Sequence, residues 1–323
     1  MEFSSRTLLK NEYIFRLNRA IDYIQDHYSE DLNLTGLAGI ACFSKYHFHR
    51  LFRELTGETV TEFLRRIRLE KAAVKLILET DKDITEIALD CGFSSSQNFA
   101  RSFKKYSGIT PSSLRREFNW DSVIAQKSSM DPDLLSKLPP TLVDLFRSYE
   151  QKKTAVMERT GPYPPFQVEI KEVPSIPVAY VRHQGPYQVE GVRGAFGKLM
   201  KWAIPRGLFT ENSLVIGVVW SSPSLTPQKN LLYDACLTVP EGIQTDRGVN
   251  LQTLPGGKYA IHHCEIDPEA HEEEWLNLVL NWLASSGYQP DARPAYDIYY
   301  NDFETHPQKK VILDLCFPVK PKI

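Results

Sequence analysis

The chain is 323 residues long, 42% hydrophobic and 24% charged, with a formal net charge of −2. That is enough material for two or three units with cores of their own, in the profile of an ordinary soluble globular protein. No apolar run approaches the roughly 18 residues of a membrane span and the first thirty residues lack a signal-peptide core, so a cytoplasmic protein is expected.

In chain order, Ile14, Leu17, Ile21 and Ile24 recur at helical spacing and predict a first helix over Tyr13 to Tyr28. Two stretches then repeat one pattern, Leu34 to Phe52 and Ile84 to Phe103. Each starts on an apolar residue, places another three on with an alanine next (Leu37-Ala38, Ile87-Ala88), breaks, and resumes at Phe43-Ser44 or Phe93-Ser94. The alanine lets two helices cross closely and the break lets the second turn away steeply, which is the profile of a helix-turn-helix. Where the second break has Gly92, which accepts a left-handed backbone, the first has Cys42, so some strain is expected there. Between the units, Thr59 to Thr80 has neither Gly nor Pro and carries Phe63, Leu64, Ile67, Val74, Leu76, Ile77 and Leu78, which predicts one long spacer helix. Beyond Phe118, Ser128-Ser129, Asp131-Pro132, Pro139-Pro140 and Gly161-Pro162 mark a linker or bridge over 119–160, with a short helical piece at Leu142 to Tyr149.

The second half holds its own repeat at an offset of 80: Trp202 and Trp282, Gly207 and Gly287, Pro227-Gln228-Lys229 and Pro307-Gln308-Lys309, Asp234 and Asp314, Cys236 and Cys316, Val239 and Val319. Each copy starts with a β-branched run (Ile176 to Val181; Lys258 to His263) and continues into an amphipathic helix ending near the tryptophan. Two strands finish it, Ser213 to Trp220 and Leu231 to Val239 in the first copy, Ala295 to Tyr300 and Lys310 to Val319 in the second. The predicted fold class is multidomain: an all-α N-terminal domain with two helix-turn-helix units, then an α+β C-terminal domain of two strand-helix-strand-strand repeats with an antiparallel sheet. A pseudo-twofold between the repeats leaves a cleft suited to a ligand.

Tandem helix-turn-helix units point to DNA. A recognition helix presents its early residues to base edges, here Lys45, Tyr46, His49 and Arg50 in the first unit and Ser96, Gln97, Asn98 and Arg101 in the second. Arg can fork onto guanine, Gln or Asn onto adenine, and Tyr can lie against a thymine methyl. Ser44, Lys104, Lys105 and Arg115 are expected at phosphates, as is Arg116, while Phe48, Leu51, Phe52, Phe99 and Phe103 fall on the core side. Residues 1–119 carry 18 Lys+Arg against 16 Asp+Glu, a mild excess that permits DNA binding without arguing for it.

Residues 8–118 resemble the AraC/XylS family of bacterial transcription regulators. The resemblance rests on Arg68-Leu69-x-x-Ala72, Ile84-x-x-Ile87-Ala88-x-x-x-Gly92-Phe93, and Phe103-Lys104-x-x-x-Gly108-x-x-Pro111 with Arg115-Arg116. It implies two recognition helices on one linker helix, reaching successive major grooves. Residues 166–320 look like the GyrI-like effector-binding domain, through Gly185-Pro186-Tyr187, Trp202 with Gly207, Pro223 with Pro227 and Tyr233-Asp234, Leu254-Pro255-Gly256-Gly257, and Tyr296-Asp297-Ile298-Tyr299-Tyr300-Asn301-Asp302. The order of the two is similar to that of Rob-like regulators, and the expected boundaries are 8–118, a bridge at 119–160, and 161–323. In the effector family a glutamate in a Glu-x-Tyr motif often anchors cationic, greasy ligands inside an aromatic cleft. Here that position is Asp297, one methylene shorter, and Glu265-Ile266-Asp267 replaces in the second repeat the glycine-containing segment seen at Gly185.

Asp297 and Tyr299 alternate onto one face of a predicted strand and could offer a cation a carboxylate and a ring, with Trp220, Tyr187 and Trp275 as further walls. His262-His263-Cys264 is not a metal clasp, because adjacent strand residues point to opposite faces. The five cysteines (Cys42, Cys91, Cys236, Cys264, Cys316) form no Cys-x-x-Cys pair and read as reduced, mostly buried thiols. No metal or cofactor is expected. The leading expectation is a non-enzymatic regulator that binds double-stranded DNA and a small effector, possible contact with RNA polymerase included. The alternatives are a C-terminal domain that hydrolyses a small xenobiotic, with Asp297 as base, or one that docks a protein partner.

Overall fold

The computed structural model describes residues 2–79, 81–117, 167–221, 226–245, 248–283, 286–291 and 293–321. The bridge expected over 119–160 and its helical piece at 142–149 lie outside them. Among the described residues, seven helices make up the first part of the chain: α1 (Glu2–His27), α2 (Leu34–Ile40), α3 (Lys45–Thr56), α4 (Val60–Leu78), α5 (Ile84–Asp90), α6 (Ser96–Ser107) and α7 (Pro111–Glu117). The first begins at Glu2 rather than Tyr13. Apolar spacing marks where a helix packs, and no Gly or Pro in residues 2–12 stops it extending backwards.

The helix starts are written in the caps. Asn33 accepts from the Gly36 amide at 2.9 Å, and Thr59 with Glu62 and Asp83 with Glu86 form reciprocal capping boxes at α4 and α5. The two turns are built alike: the amide of Phe43 donates to the Ala38 carbonyl at 2.9 Å and that of Phe93 to Ala88 at 3.0 Å. Both need one left-handed residue, Cys42 at φ 54° and Gly92 at φ 78°. A Cβ in that region costs roughly 1 kcal/mol, and Cys42 is exposed with no packing to compensate. Cys42→Gly is therefore expected to raise stability by about 0.5–1 kcal/mol, the Gly chain entropy offsetting part of the gain, as a higher midpoint in chemical unfolding. An unchanged or lower midpoint would show that the turn is not strained.

One core cluster gathers Leu17, Ile21, Ile24, Leu37, Phe48, Phe52 and Phe63 around the first unit, and a second gathers Leu69, Leu76, Ile87, Phe93, Phe99 and Phe103 around the other. The spacer helix α4 contributes to both, so the two units share it as a strut.

The second half is an antiparallel sheet with helices on one face. Its strands are β1 (Glu169–Val173), β2 (Ile176–Gln184), β3 (Val215–Val219), β4 (Leu232–Thr238), β5 (Asn250–Leu254), β6 (Gly257–Ile266), β7 (Tyr288–Pro290), β8 (Ala295–Tyr299) and β9 (Val311–Pro321), in the order β1-β6-β9-β8-β3-β4-β2-β5 with β7 on β9. The short β1, β5 and β7 were not anticipated from the sequence. β1 (EIKEV) is largely exposed, so its hydrophobic pattern is weak. Helices α8 (Val189–Ala203) and α9 (His271–Asn277, continued by a π turn to Leu283) follow β2 and β6.

The order reads the same from either end of the central β3–β8 pair, which is the expected pseudo-twofold. Gly217 pairs with Asp297 across it. These residues are 80 apart, so each is the other's counterpart and both sit on the axis. Tyr233, Ala235 and Leu237 face α8, whereas Asp234 and Cys236 face the other way. That other face is where the helical half docks. Leu232 belongs to the cluster of Phe48 and Phe52, and Asn250 donates to the Phe15 carbonyl at 3.0 Å.

Candidate DNA-reading surface and ligand site

On α3 and α6 the polar and apolar faces separate cleanly. Phe48, Phe52, Phe99 and Phe103 are all at most 1% exposed. Lys45, Tyr46, Arg50, Gln97, Asn98 and Arg101 are exposed, Tyr46 to 88%, with His49 and Ser96 half-buried beside them. Arg50 has only a long contact to His47 at 3.4 Å, so its guanidinium is available to a base. Ser95 caps α6 by accepting from the Asn98 amide, but Ser44 makes no such bond at α3, which leaves its hydroxyl free to meet a phosphate at a helix N-terminus. Lys104 and Lys105 are exposed in the last turn of α6.

Arg115, expected at a phosphate, is engaged within the protein. Its guanidinium donates to the carbonyls of Lys82 at 2.6 Å, Glu79 at 3.2 Å and Leu76 at 3.4 Å. These include carbonyls at the end of α4 that the helix itself cannot satisfy. Arg68 does the same for α1, donating to Tyr28 and Glu30 at 2.7 Å. Two of the three arginines of the family motifs thus tie α4 to the end of α1 and α7 to the end of α4, and Arg116 is exposed beside the second.

In the second half the axis position carries a buried carboxylate. Asp297 is fully buried, and it accepts hydrogen bonds from Trp275 Nε1 at 2.9 Å, His271 Nε2 at 2.9 Å and Tyr299 Oη at 3.0 Å. Around it stand Tyr233, whose hydroxyl is 3.4 Å from that of Tyr299, and Phe196 of α8, with centroids 5.8 Å from Tyr299 and 6.2 Å from Tyr233. Tyr187 extends the group, 5.9 Å from Tyr233 and donating to the carbonyls of Ser221 and Leu232. Gly217 makes this possible: a Cβ there would lie 1.9 Å from the Tyr233 hydroxyl. Burial, with the negative Asp297 close by, holds the Tyr233 and Tyr299 phenols well above their ordinary range, so both stay neutral donors. Burial pushes His271 down, but Asp297 outweighs it and raises the imidazole above its usual value.

Of the five residues expected to line the ligand site, Asp297, Tyr299, Tyr187 and Trp275 come together and Trp220 does not. Trp220 lies on the opposite face, donating to Asp234 at 2.6 Å and packing against the first helical core. It follows Val219 at the end of β3, and the face it takes is one that another domain covers. His271, Phe196, Tyr233 and Gly217 were not among them; Gly217 had a signal in the offset of 80 from Asp297 and Tyr233 in its place in the Tyr233-Asp234 motif.

The face turned to the helical half carries its own charged group. Arg182 forks onto Asp234 at 2.7 and 2.6 Å and reaches Asp22 of α1 at 2.8 Å. Tyr180 donates to Asp22 as well, and Gln252 donates to Asp234 at 3.1 Å. Glu70 of α4 accepts from Thr226 at 2.7 Å and Gln184 donates to the Thr56 carbonyl at 3.2 Å. His262 and His263 point to opposite faces, as expected: His262 meets Glu274 and the Gln167 carbonyl, and His263 meets Asp314. Among the described residues no group of His, Cys, Asp and Glu fits a metal ion, and no helix is long and apolar enough to cross a membrane.

A helix-turn-helix domain model matches residues 37–117, and a model described as a GyrI-like small molecule binding domain matches residues 166–320. The transposon Tn10 TetD protein of Escherichia coli is 42% identical over 99 residues, which are 31% of this chain and 71% of that protein. Transcriptional regulator Rob of Salmonella typhimurium is 38% identical over 100 residues, 31% of this chain and 34% of that protein. Right origin-binding protein of Escherichia coli matches over the same shares at 38% identity. The match therefore spans about a third of the length of the latter two relatives.

Proposed function

We propose that this chain, which belongs to the AraC-type helix-turn-helix family and carries a GyrI-like small-molecule binding domain, is a sequence-specific DNA-binding transcription regulator whose second half senses a small amphipathic or cationic molecule. The observation that carries it is the pair of helices α3 and α6. Each has its aromatic face locked in a core and its early polar side chains exposed, and both are mounted on α4. The buried Asp297 ringed by Tyr187, Phe196, Tyr233, Trp275 and Tyr299 supports the sensing half. A carboxylate among π faces favours a greasy cation over an anion or a neutral polar molecule. Hydrolysis finds less support, since Asp297 already accepts three hydrogen bonds from protein donors and is poorly placed to activate water.

The test is DNA binding by the full chain to a fragment selected from a random pool. Arg50→Ala or Arg101→Ala, each removing one forked pair of hydrogen bonds to a base, is expected to cost about 1–3 kcal/mol of discrimination, with little change in affinity for unrelated DNA. Lys104→Ala and Lys105→Ala should weaken binding to all sequences and flatten its salt dependence. Unchanged preference in both arginine variants, measured by anisotropy at fixed salt, would remove the base-reading assignment.

A further inference from the structure

Asp297 is not an empty anionic socket. One oxygen takes His271 and Tyr299 and the other takes Trp275, while no surface of the carboxylate reaches solvent. The His271 side chain is 30% exposed where Asp297 is 0% exposed, so the imidazole stands between the carboxylate and water. It is the first residue of α9, entered from a short turn at Pro268–Ala270, and its side chain can swing outward without unwinding a strand. The groups facing it are few: Asp297 and Tyr299 from β8, with Tyr233 of β4 behind them, Glu272 on its own helix, and Cys264 of β6 near the same carboxylate.

We infer that His271 is a resident cation at this site, and that an organic cation reaches Asp297 by displacing the protonated imidazole, which makes His271 the residue that sets charge selectivity. This rests on the reading of Asp297 as the ligand anchor. A neutral or anionic molecule gains nothing from the exchange, because removing His271 without supplying a positive charge leaves the carboxylate buried and uncompensated. A permanent cation replaces one charge by another and gains its aromatic contacts as surplus.

Displacement carries a proton linkage. Bound to Asp297, His271 holds its proton above the ordinary imidazole range; displaced toward solvent, it returns to an ordinary value and releases that proton. Cation binding is therefore opposed by protons, and affinity rises with pH by up to about tenfold per unit across the window between the two values. Above that window it is flat.

The experiment is calorimetric titration of the full chain with a quaternary ammonium compound bearing an aromatic arm, which has no proton of its own, and with its neutral tert-butyl isostere. Buffers of different ionisation enthalpy at several pH values between about 5.5 and 8.5 count the protons. The wild-type protein should bind the cation, release a fraction of a proton within that window, tighten from the acid to the alkaline end, and ignore the isostere. His271→Gln keeps a hydrogen-bond donor but does not titrate, and should bind with a flat pH profile and tighter than wild type at the acid end. Binding lost in Asp297→Asn together with proton-free binding by wild type would overturn the role of His271 and leave the anchor in place. A cation that binds none of the proteins, or binds Asp297→Asn as well as wild type, would overturn both.

Discussion

Arg182→Met is expected to cost about 3–5 kcal/mol of folding stability at neutral pH and to loosen the helical half from the sheet. The side chain of Arg182 is 3% exposed, that of Asp234 0% and that of Asp22 21%, so one guanidinium is shared between two carboxylates, one of them wholly out of water. Burial already raises Asp22 above its ordinary value even with Arg182 beside it, so its charge is held at a cost. A carboxylate with a raised folded-state value binds more protons folded than unfolded, and stability falls as pH rises through that value. Removing Arg182 raises it further, so the defect should be greatest at neutral pH and partly recovered on acidification. Urea unfolding followed by tryptophan fluorescence is the measurement, with Trp220 reporting through its bond to Asp234. A loss under about 1 kcal/mol, or one that deepens toward acid, would show that Arg182 does not hold the interface.

The same chemistry occurs twice, and the contrast explains what the sequence could reveal. In strand and face, β3 and β4 match β8 and β9 at the offset of 80, whereas β2 matches β6 at 81: Ala179 and Ala260 both face helices, and Tyr180 and Ile261 the opposite side. His263 is thus the counterpart of Arg182, Asp314 of Asp234 and Tyr300 of Trp220. His263 and Tyr300 both bond Asp314, in the open, with Tyr300 53% exposed. Only the copy covered by α1 carries the arginine and the indole. No periodicity announces that a sheet face will be covered by another domain, which is why Trp220 was assigned to the ligand and Arg182 went unnoticed.

The reading helices were legible for the opposite reason. Their signal is local: small residues at the crossing, a turn that needs a left-handed residue, and aromatics spaced to one side of a helix. The two copies checked each other, down to Thr56 and Ser107, each closing its helix by donating to a carbonyl four residues back. The engagement of Arg115 was not legible because its partners, carbonyls at the end of α4 and in the link to α5, lie more than thirty residues earlier in the chain. His271 was invisible for a related reason: it meets Asp297 from a different element, and His followed by three glutamates reads as an ordinary charged helix start.

Arg66→Met should be comparably damaging, about 3–5 kcal/mol, but its effect falls on the strut. Arg66 is 4% exposed, forks onto Glu58 at 3.0–3.2 Å, reaches Glu70 at 3.0 Å and lies 4.8 Å over the Phe63 ring. Glu58 sits in the link between α3 and α4, and Glu70 also accepts from Tyr106 of α6 at 3.1 Å. One side chain therefore ties the end of the first reader to the strut, and through Glu70 to the second. Lysine would not restore it, because a single ammonium cannot reproduce the fork. At a temperature where the variant is still folded, DNA affinity should fall for specific and unrelated sequences alike, since the relative placement of α3 and α6 is disturbed. Arg50→Ala should do the reverse, losing sequence preference at full stability. If Arg66→Met instead kept wild-type affinity while losing stability, the two readers would not depend on a rigid mount, and the strut would matter only for folding.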